Sequence, residues 1–356
     1  MVLQEPRGNC AVKQHVQVLS LQASTPETLS IRANDESILS FAQRETHRRK
    51  EHLIDAIKRS LRALKNDSFA PQITFVTAPE LYWNIPWSSV RNVQELRQLE
   101  AFYRRAIQQQ VRQIVDAFAV KQWGRLVLLP GTIALLTPSK KNPQRYESLN
   151  YVVAGNNFGK RPLWGAPYIS LWPKRNTALI DYMGLSAQQA VEINNELIIF
   201  DPETASPELF DDDPPLVFVY QLSDTLSVDV YELSTATAKH QRGCRLWPLF
   251  ENSLIPYVPF GVDICADVGL GRLDELREPE VKLDFLIATG QPIPAGLELP
   301  PSVQYLVRND GRTGLSPDGT LRSQCEVWTV VEGKTRSVLP TRLITESVWL
   351  HQFQVH

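Results

Sequence analysis

Ile73-Thr74-Phe75-Val76-Thr77-Ala78-Pro79-Glu80 is a short apolar run closed by a proline and an acid. Its length and its β-branched and aromatic content read as a buried strand with Glu80 at its end. The chain on either side has a different period. Over residues 35–65, Ile38, Phe41, Leu53, Ile54, Ile57, Leu61 and Leu64 fall at helical spacing among many charges. Over residues 92–119, Leu96, Leu99, Phe102, Ile107, Val111, Ile114, Val115 and Phe118 do the same. Both stretches predict long amphipathic helices, and a short apolar strand between two such helices argues an α/β fold.

Working outward, further strands are expected at residues 16–21, 126–129, 151–154 and 168–171, with a loop at 138–144. The longest apolar run, residues 126–136, is broken by Pro130-Gly131 and reads as buried strand rather than membrane span. The later chain repeats the pattern more weakly, with strands expected at 217–220, 258–265, 285–288, 304–307 and 325–331. Residues 192–213 are acidic and interrupted by proline, and Asp211-Asp212-Asp213-Pro214-Pro215 reads as a surface loop. With no repeat, heptad or linker, residues 1–356 read as one domain with an insertion around 190–250.

Hydrophobic residues at 43% and charged residues at 21% exclude a wholly disordered chain. Thirty-seven Lys and Arg against 39 Asp and Glu give no electrostatic reason to expect nucleic acid or an anionic membrane as partner. The first residues lack an apolar signal core, so a soluble, cytoplasmic protein is expected. Cys10, Cys244, Cys265 and Cys325 are scattered, no CxxC pair exists and the histidines do not cluster with them, so no metal site is expected.

Three residues stand where chemistry is usually placed, at the ends of apolar strands. Cys265, in Phe260-Gly261-Val262-Asp263-Ile264-Cys265-Ala266-Asp267, ends one strand just before a turn whose N–H groups suit an oxyanion. Glu80 ends another and is followed by Tyr82, Trp83 and Trp87, surroundings that raise a carboxyl pKa and suit a general base. Lys174, in Leu171-Trp172-Pro173-Lys174, follows a third and offers a point charge. Taken singly, each has a bland alternative: a core thiol, an exposed strand end, a solvated lysine.

In chain order, Glu80, Lys174 and Cys265 resemble the triad of the nitrilase superfamily of carbon–nitrogen hydrolases. His15 to Gln22 is similar to that family's first strand, and Phe75 to Glu80 to its strand ending in Pro-Glu. Gly131-Thr132-Ile133 and Ser148-Leu149-Asn150-Tyr151-Val152-Val153 resemble its Gly-Thr strand and the Tyr-Asn strand after it. Trp172-Pro173-Lys174 is similar to its aromatic-X-Lys, and Gly261 to Asp267 to the segment around its nucleophile. Asp284 to Ala288 and Ser316-Pro317-Asp318-Gly319 resemble the later strand and turn.

Departures are an enlarged interval between Lys174 and Cys265, an altered loop at Gly269-Leu270-Gly271-Arg272-Leu273, and a proline-rich stretch over 291–301 where members usually place a helix. The family's second glutamate has four candidates: Glu192, Glu196, Glu232 and Glu251.

The resemblance implies an α-β-β-α sandwich of the nitrilase type and a thiol hydrolase of non-peptide carbon–nitrogen bonds, amidase before nitrilase. Glu80 would be the base, Cys265 the nucleophile, and Lys174 with the Ala266 N–H the oxyanion holders. Tyr82, Trp83, Trp87 and Trp172 would wall the substrate cleft. It further implies a small amide or nitrile substrate, no cofactor, and a possible homodimer. The alternative is a catalytically weak or inactive relative that acts as a protein-binding module, motivated by the altered loop and the acidic insertion. A papain-like hydrolase would need a histidine after the nucleophile, where only His351 and His356 stand. Asn309-Asp310-Gly311 reads as a turn, Lys160 as a second-choice lysine, and His47 with Arg48-Arg49-Lys50 as a solvated helix face.

Overall fold

Side chains alternate across the strands, and that alternation sorts the molecule into layers. The computed structural model describes residues 13–25, 31–138, 146–159, 169–174, 181, 216–223, 226–231, 258–268, 281–315 and 321–356. The first sheet contains β1 (Gln14–Leu21), β2 (Ile73–Ala78), β3 (Leu126–Pro130), β4 (Thr132–Pro138), β5 (Tyr146–Asn156), β6 (Ile169–Pro173), β7 (Leu216–Ser223) and β8 (Leu226–Tyr231). The second contains β9 (Phe260–Ile264), β10 (Leu283–Ala288), β11 (Tyr305–Leu315), β12 (Leu321–Val331) and β13 (Lys334–Val338). The chain then returns to the first sheet with β14 (Arg342–Thr345) and β15 (Val348–Val355). The orders are β14-β15-β1-β2-β3-β5-β8-β7, with β4 and β6 also on β5, and β13-β12-β11-β10-β9.

Three neighbouring strands of each sheet are parallel: β1, β2 and β3 in one, β9, β10 and β11 in the other. Parallel neighbours need crossovers, and the two predicted helices supply them in the first sheet. Helix α1 (Ile38–Ala63) starts at Ser37, whose hydroxyl accepts the Ser40 N–H, and α2 (Val93–Asp116) starts at Asn92, whose side chain accepts from Glu95. Both lay their apolar stripes on one face of the first sheet, against Leu19, Leu21, Val76, Ala78, Leu126 and Leu128. The alternate residues Val16, Val18, Phe75, Val127 and Leu129 face the second sheet and meet Phe260, Val262, Phe285, Ile287 and Val307. Strands covered on both faces read as unbroken apolar runs, which is why β2 and β3 were conspicuous. Phe75 sits at the seam, its ring 4.8 Å from Phe285 and 5.2 Å from Phe260.

The protein is therefore mixed α/β, with a helix layer, a sheet and a second sheet. For the expected fourth layer, the described cover of the second sheet is irregular chain: Ile293, Leu297, Leu299 and Val303 pack on Leu286, Ala288 and Leu306. Proline keeps that stretch out of a helix. Residues 190–215, Gly269 to Leu273, Ser316 to Gly319, Cys10, Cys244 and Lys160 lie outside the described residues. Among the described residues, no helix is long and apolar enough to cross a membrane.

Two local expectations are corrected. Asn309-Asp310-Gly311 is no turn but the middle of β11, with Asn309 and Asp310 fully buried. Asn309 donates to the Leu21 carbonyl at 3.2 Å and to Thr77 Oγ1 at 2.9 Å, tying the two sheets together. A polar pair followed by glycine reads as a turn only while no buried partner is in view. Likewise Arg49 is not solvated: it is buried in α1, where its guanidinium donates to the Tyr82 carbonyl, while His47 and Arg48 are exposed. The C-terminal β15, which pairs antiparallel along all of β1, was not foreseen.

His351 lies on β15 opposite Val18, 1% exposed, with neither ring nitrogen hydrogen-bonded. Burial pushes its pKa down to about 4. The unfolded chain thus takes up a proton that the folded chain refuses, and stability is lost as pH falls from about 6.5 towards 4. Replacing His351 by Leu is expected to shrink the loss of unfolding free energy between pH 7.5 and pH 5 by about 2 kcal/mol, read from denaturant titrations at both pH values. An unchanged pH dependence would refute the assignment.

Candidate functional site

The site forms where strand ends from the two sheets meet. Glu80 follows β2, and its main chain is gripped from the opposite sheet: its N–H donates to the Ala288 carbonyl at 3.3 Å, and Thr289 Oγ1 donates to its carbonyl at 3.0 Å. Behind it the chain turns sharply, with Leu81 at φ +61°. That left-handed residue is strained for a leucine and is held by its surroundings. Thr132 Oγ1 accepts the Leu81 N–H at 2.9 Å, and the Thr132 carbonyl accepts the Trp83 N–H at 3.2 Å. Asn84 pairs with both polar groups of Ala134, and Arg49 holds Tyr82. Gly131, at φ +74°, makes the corner between β3 and β4, and a Cβ there would lie 2.2 Å from the Pro79 carbonyl oxygen. The Pro130-Gly131 break is thus what allows the turn carrying Glu80 to close.

Lys174 follows β6, and its N–H donates to the Asn150 carbonyl on β5 at 2.7 Å. All three ammonium protons are used inside the protein. Nζ donates to Glu80 Oε1 at 2.8 Å and to both oxygens of Asp181 at 2.7 and 2.9 Å. Asn150 Nδ2 donates to the same Glu80 Oε1 at 2.8 Å. Glu80, Lys174 and Asp181 are all buried. Trp87 Nε1 donates to the Asp181 carbonyl at 3.2 Å.

Cys265 follows β9 in a single 3-10 turn, Cys265–Asp267, with its own φ at +50°. It is buried, and Glu80, Lys174 and the Thr289 N–H are among the groups that act electrostatically on its thiol. Ala266 is half-buried in the same turn. The structure thus brings Glu80, Lys174 and Cys265 together, from three strand ends and two sheets.

Their charges are set by burial and by one another. Burial pushes the Glu80 pKa up; Lys174 pulls it back, Asp181 raises it, and it comes to about 8. Burial opposes the charge on Lys174, but Asp181 and Glu80 outweigh it and hold the ammonium well above its usual range. The Cys265 thiol is pushed well up by burial and by Glu80, with Lys174 opposing. Near neutrality the cluster therefore holds an ionised Lys174, a Glu80 largely protonated, and a thiol rather than a thiolate. A thiol without a histidine partner has to pass its proton to a carboxylate. Glu80 Oε2 has the vacancy, because its hydrogen-bond partners all lie on Oε1.

The four aromatics expected to wall the cleft fall in different places: Trp87 meets Asp181, while the others divide between the two cores. Tyr82 and Trp83 belong to the helix-side core, where the Tyr82 hydroxyl donates to the Arg49 carbonyl at 3.0 Å, so they back the turn from behind. Trp172 does share the inter-sheet core with Cys265. Asp181 was missed altogether. A lone acid seven residues past a lysine has no periodic relation to it, and a search for glutamate passes over it. Glu192, Glu196, Glu232 and Glu251 lie outside the described residues. Among the described residues, no group of three or more His, Cys, Asp or Glu is placed to hold a metal ion.

No family model matches the chain, and no curated protein matches it. Among solved structures, it is similar to a carbon–nitrogen hydrolase from Helicobacter pylori G27 at 10% identity and a TM-score of 0.42, over 95% of this chain and 89% of that one. At that identity and score the likeness shows neither family nor function.

Lys174→Met keeps most of the side-chain volume but leaves two buried carboxylates without a cation. The variant is expected to lose about 3–5 kcal/mol of unfolding free energy at pH 8. The loss should be smaller at pH 5, where Glu80 takes a proton in both proteins, and equilibrium unfolding at the two pH values measures it. Equal losses would show that Glu80 does not depend on the lysine for its charge.

Proposed function

We propose that this protein is a thiol hydrolase acting on non-peptide carbon–nitrogen bonds, an amidase before a nitrilase. The observation that carries the reading is the Lys174 ammonium shared between two buried carboxylates, one of which, Glu80, keeps an oxygen free of hydrogen bonds and acts on the buried Cys265 thiol. The resemblance of the motifs around all three residues supports it.

The thiol proton passes to Glu80 Oε2 as Sγ attacks the substrate carbonyl carbon. Negative charge then develops on the carbonyl oxygen, where the Lys174 charge and the Ala266 N–H stabilise it. Lys174 can turn one proton to that oxygen, because Asp181 still keeps the other of its two bonds. Protonated Glu80 next donates to the departing nitrogen, the C–N bond breaks and a thioester remains. Water gives its proton to Glu80 as it attacks the thioester, and the acid leaves with the thiol restored. Asp181 holds the lysine in place and keeps Glu80 from ionising too readily, so that one carboxyl can serve both as base and as acid.

This reading is tested by ammonia release from a panel of small primary amides. Cys265→Ala should abolish it while the far-UV spectrum stays native. In the wild type, kcat/KM should rise about tenfold per pH unit until it levels off near pH 8, as Glu80 ionises. Asp181→Asn removes a charge that raises the Glu80 pKa, so the rise should move to lower pH. Undiminished release by Cys265→Ala overturns the nucleophile. No release by the wild type, together with an unreactive Cys265, favours the binding-module reading instead.

A further inference from the structure

Asn150 uses only half of its side chain. Its Nδ2 donates to Glu80 Oε1, but its Oδ1 is buried and accepts no hydrogen bond. The orientation of the amide is not arbitrary. Glu80 Oε1 already receives the Lys174 ammonium and is an acceptor, so the NH2 edge of Asn150 is the edge that must face it. That leaves Oδ1 as a bare acceptor on a side chain bonded directly to Glu80. Such an atom costs free energy until a donor reaches it. Glu80 Oε2, the other bare acceptor, has the thiol proton to receive. Asn150 Oδ1 has no corresponding donor among the described residues.

The geometry points to Asn150 as the residue that reads the nitrogen of the substrate: its Oδ1 accepts an N–H from the carboxamide whose carbonyl carbon Cys265 attacks. The inference rests on the proposed thiol chemistry and deepens it. A carboxamide carries N–H groups beside the carbon under attack and satisfies the bare oxygen. A nitrile nitrogen is only an acceptor, so it would set a lone pair against Oδ1. A site built around a donated hydrogen bond discriminates strongly against an analogue that lacks the donor. Asn150 is thereby a specificity residue as well as a positioning one, since its main-chain carbonyl fixes Lys174 and its Nδ2 fixes Glu80.

The probes are chloroacetamide and chloroacetonitrile, which differ in the group of interest. With either, the Sγ–C bond forms, the C–Cl bond breaks, chloride leaves with the bonding pair, and the thiol proton passes to Glu80. Labelling of Cys265 in the full chain is followed by mass spectrometry, and the amide-to-nitrile rate ratio is divided by that of free cysteine. The wild type is expected to favour the amide by at least about tenfold on this scale. Asn150→Leu should fall to within about twofold of free cysteine. Asn150→Asp, which keeps an acceptor oxygen but loses the donor, should retain the preference while reacting more slowly with both probes. A wild-type ratio equal to that of free cysteine overturns the inference whether or not the variants fold, and so does a preference that survives in folded Asn150→Leu. If instead Cys265 reacts with neither probe faster than the buried Cys325, the thiol chemistry itself fails, a result distinct from the loss of selectivity.

Discussion

The main chain of Glu80 belongs to one sheet by sequence and is held by the other through hydrogen bonds. Its N–H and its carbonyl are both taken by the Ala288–Thr289 end of β10, and Thr289 is tied in turn to Thr25 after β1. Buried backbone groups must find partners, so this pairing leaves little choice about how the strand ends approach one another. Because β9 lies beside β10, the same grip brings Cys265 up to Glu80. Gly311 permits the approach: a Cβ there would lie 2.0 Å from Thr25 Oγ1. Deeper in the seam, Cys325 donates to Asn309, Asn309 to Thr77 and Thr77 to Ser20, a chain that crosses from the second sheet to the first.

Within that frame the electrostatics are a matter of numbers of charges. One ammonium stands between two buried carboxylates, so the cation is shared rather than matched one to one. Asp181 takes two of the three ammonium protons and Glu80 one. Burial and the neighbouring Asp181 push the Glu80 pKa up to about 8 against the pull of Lys174, which suits a group alternating between base and acid. An unpaired lysine at this depth would be driven towards its neutral form, so the acids preserve the cation as much as the cation restrains the acids.

Strain is concentrated at the same place. Leu81 and Cys265 both adopt left-handed backbone that ordinary side chains avoid, one beside the carboxyl and one at the thiol. The surroundings that hold them are rigid and polar: Thr132 and Asn84 beneath the first turn, Arg49 behind it, and the parallel pair β9–β10 beneath the second. Burying the Arg49 guanidinium against a single carbonyl is costly in an ordinary helix. Here it joins α1 to the loop that aims Glu80, which gives a physical reason for a charged residue on the inner face.

The amino-acid sequence by itself determined the strands buried on both faces, because a double-sided core demands unbroken apolar runs, and the two crossover helices, because a 3.6-residue period with capping residues allows little else. It also determined that Glu80, Lys174 and Cys265 stand at strand ends, since proline, an aromatic and a turn mark each stop. Only the tertiary structure decided what surrounds them. Asp181 and Asn150 enter through contacts between distant segments, to which no local period corresponds. Arg49 and Asn309-Asp310-Gly311 resemble a solvated face and a turn until a partner from another layer is placed against them. Tyr82 and Trp83 follow Glu80 in the chain yet pack in the helix-side core, on the far side of the left-handed turn at Leu81.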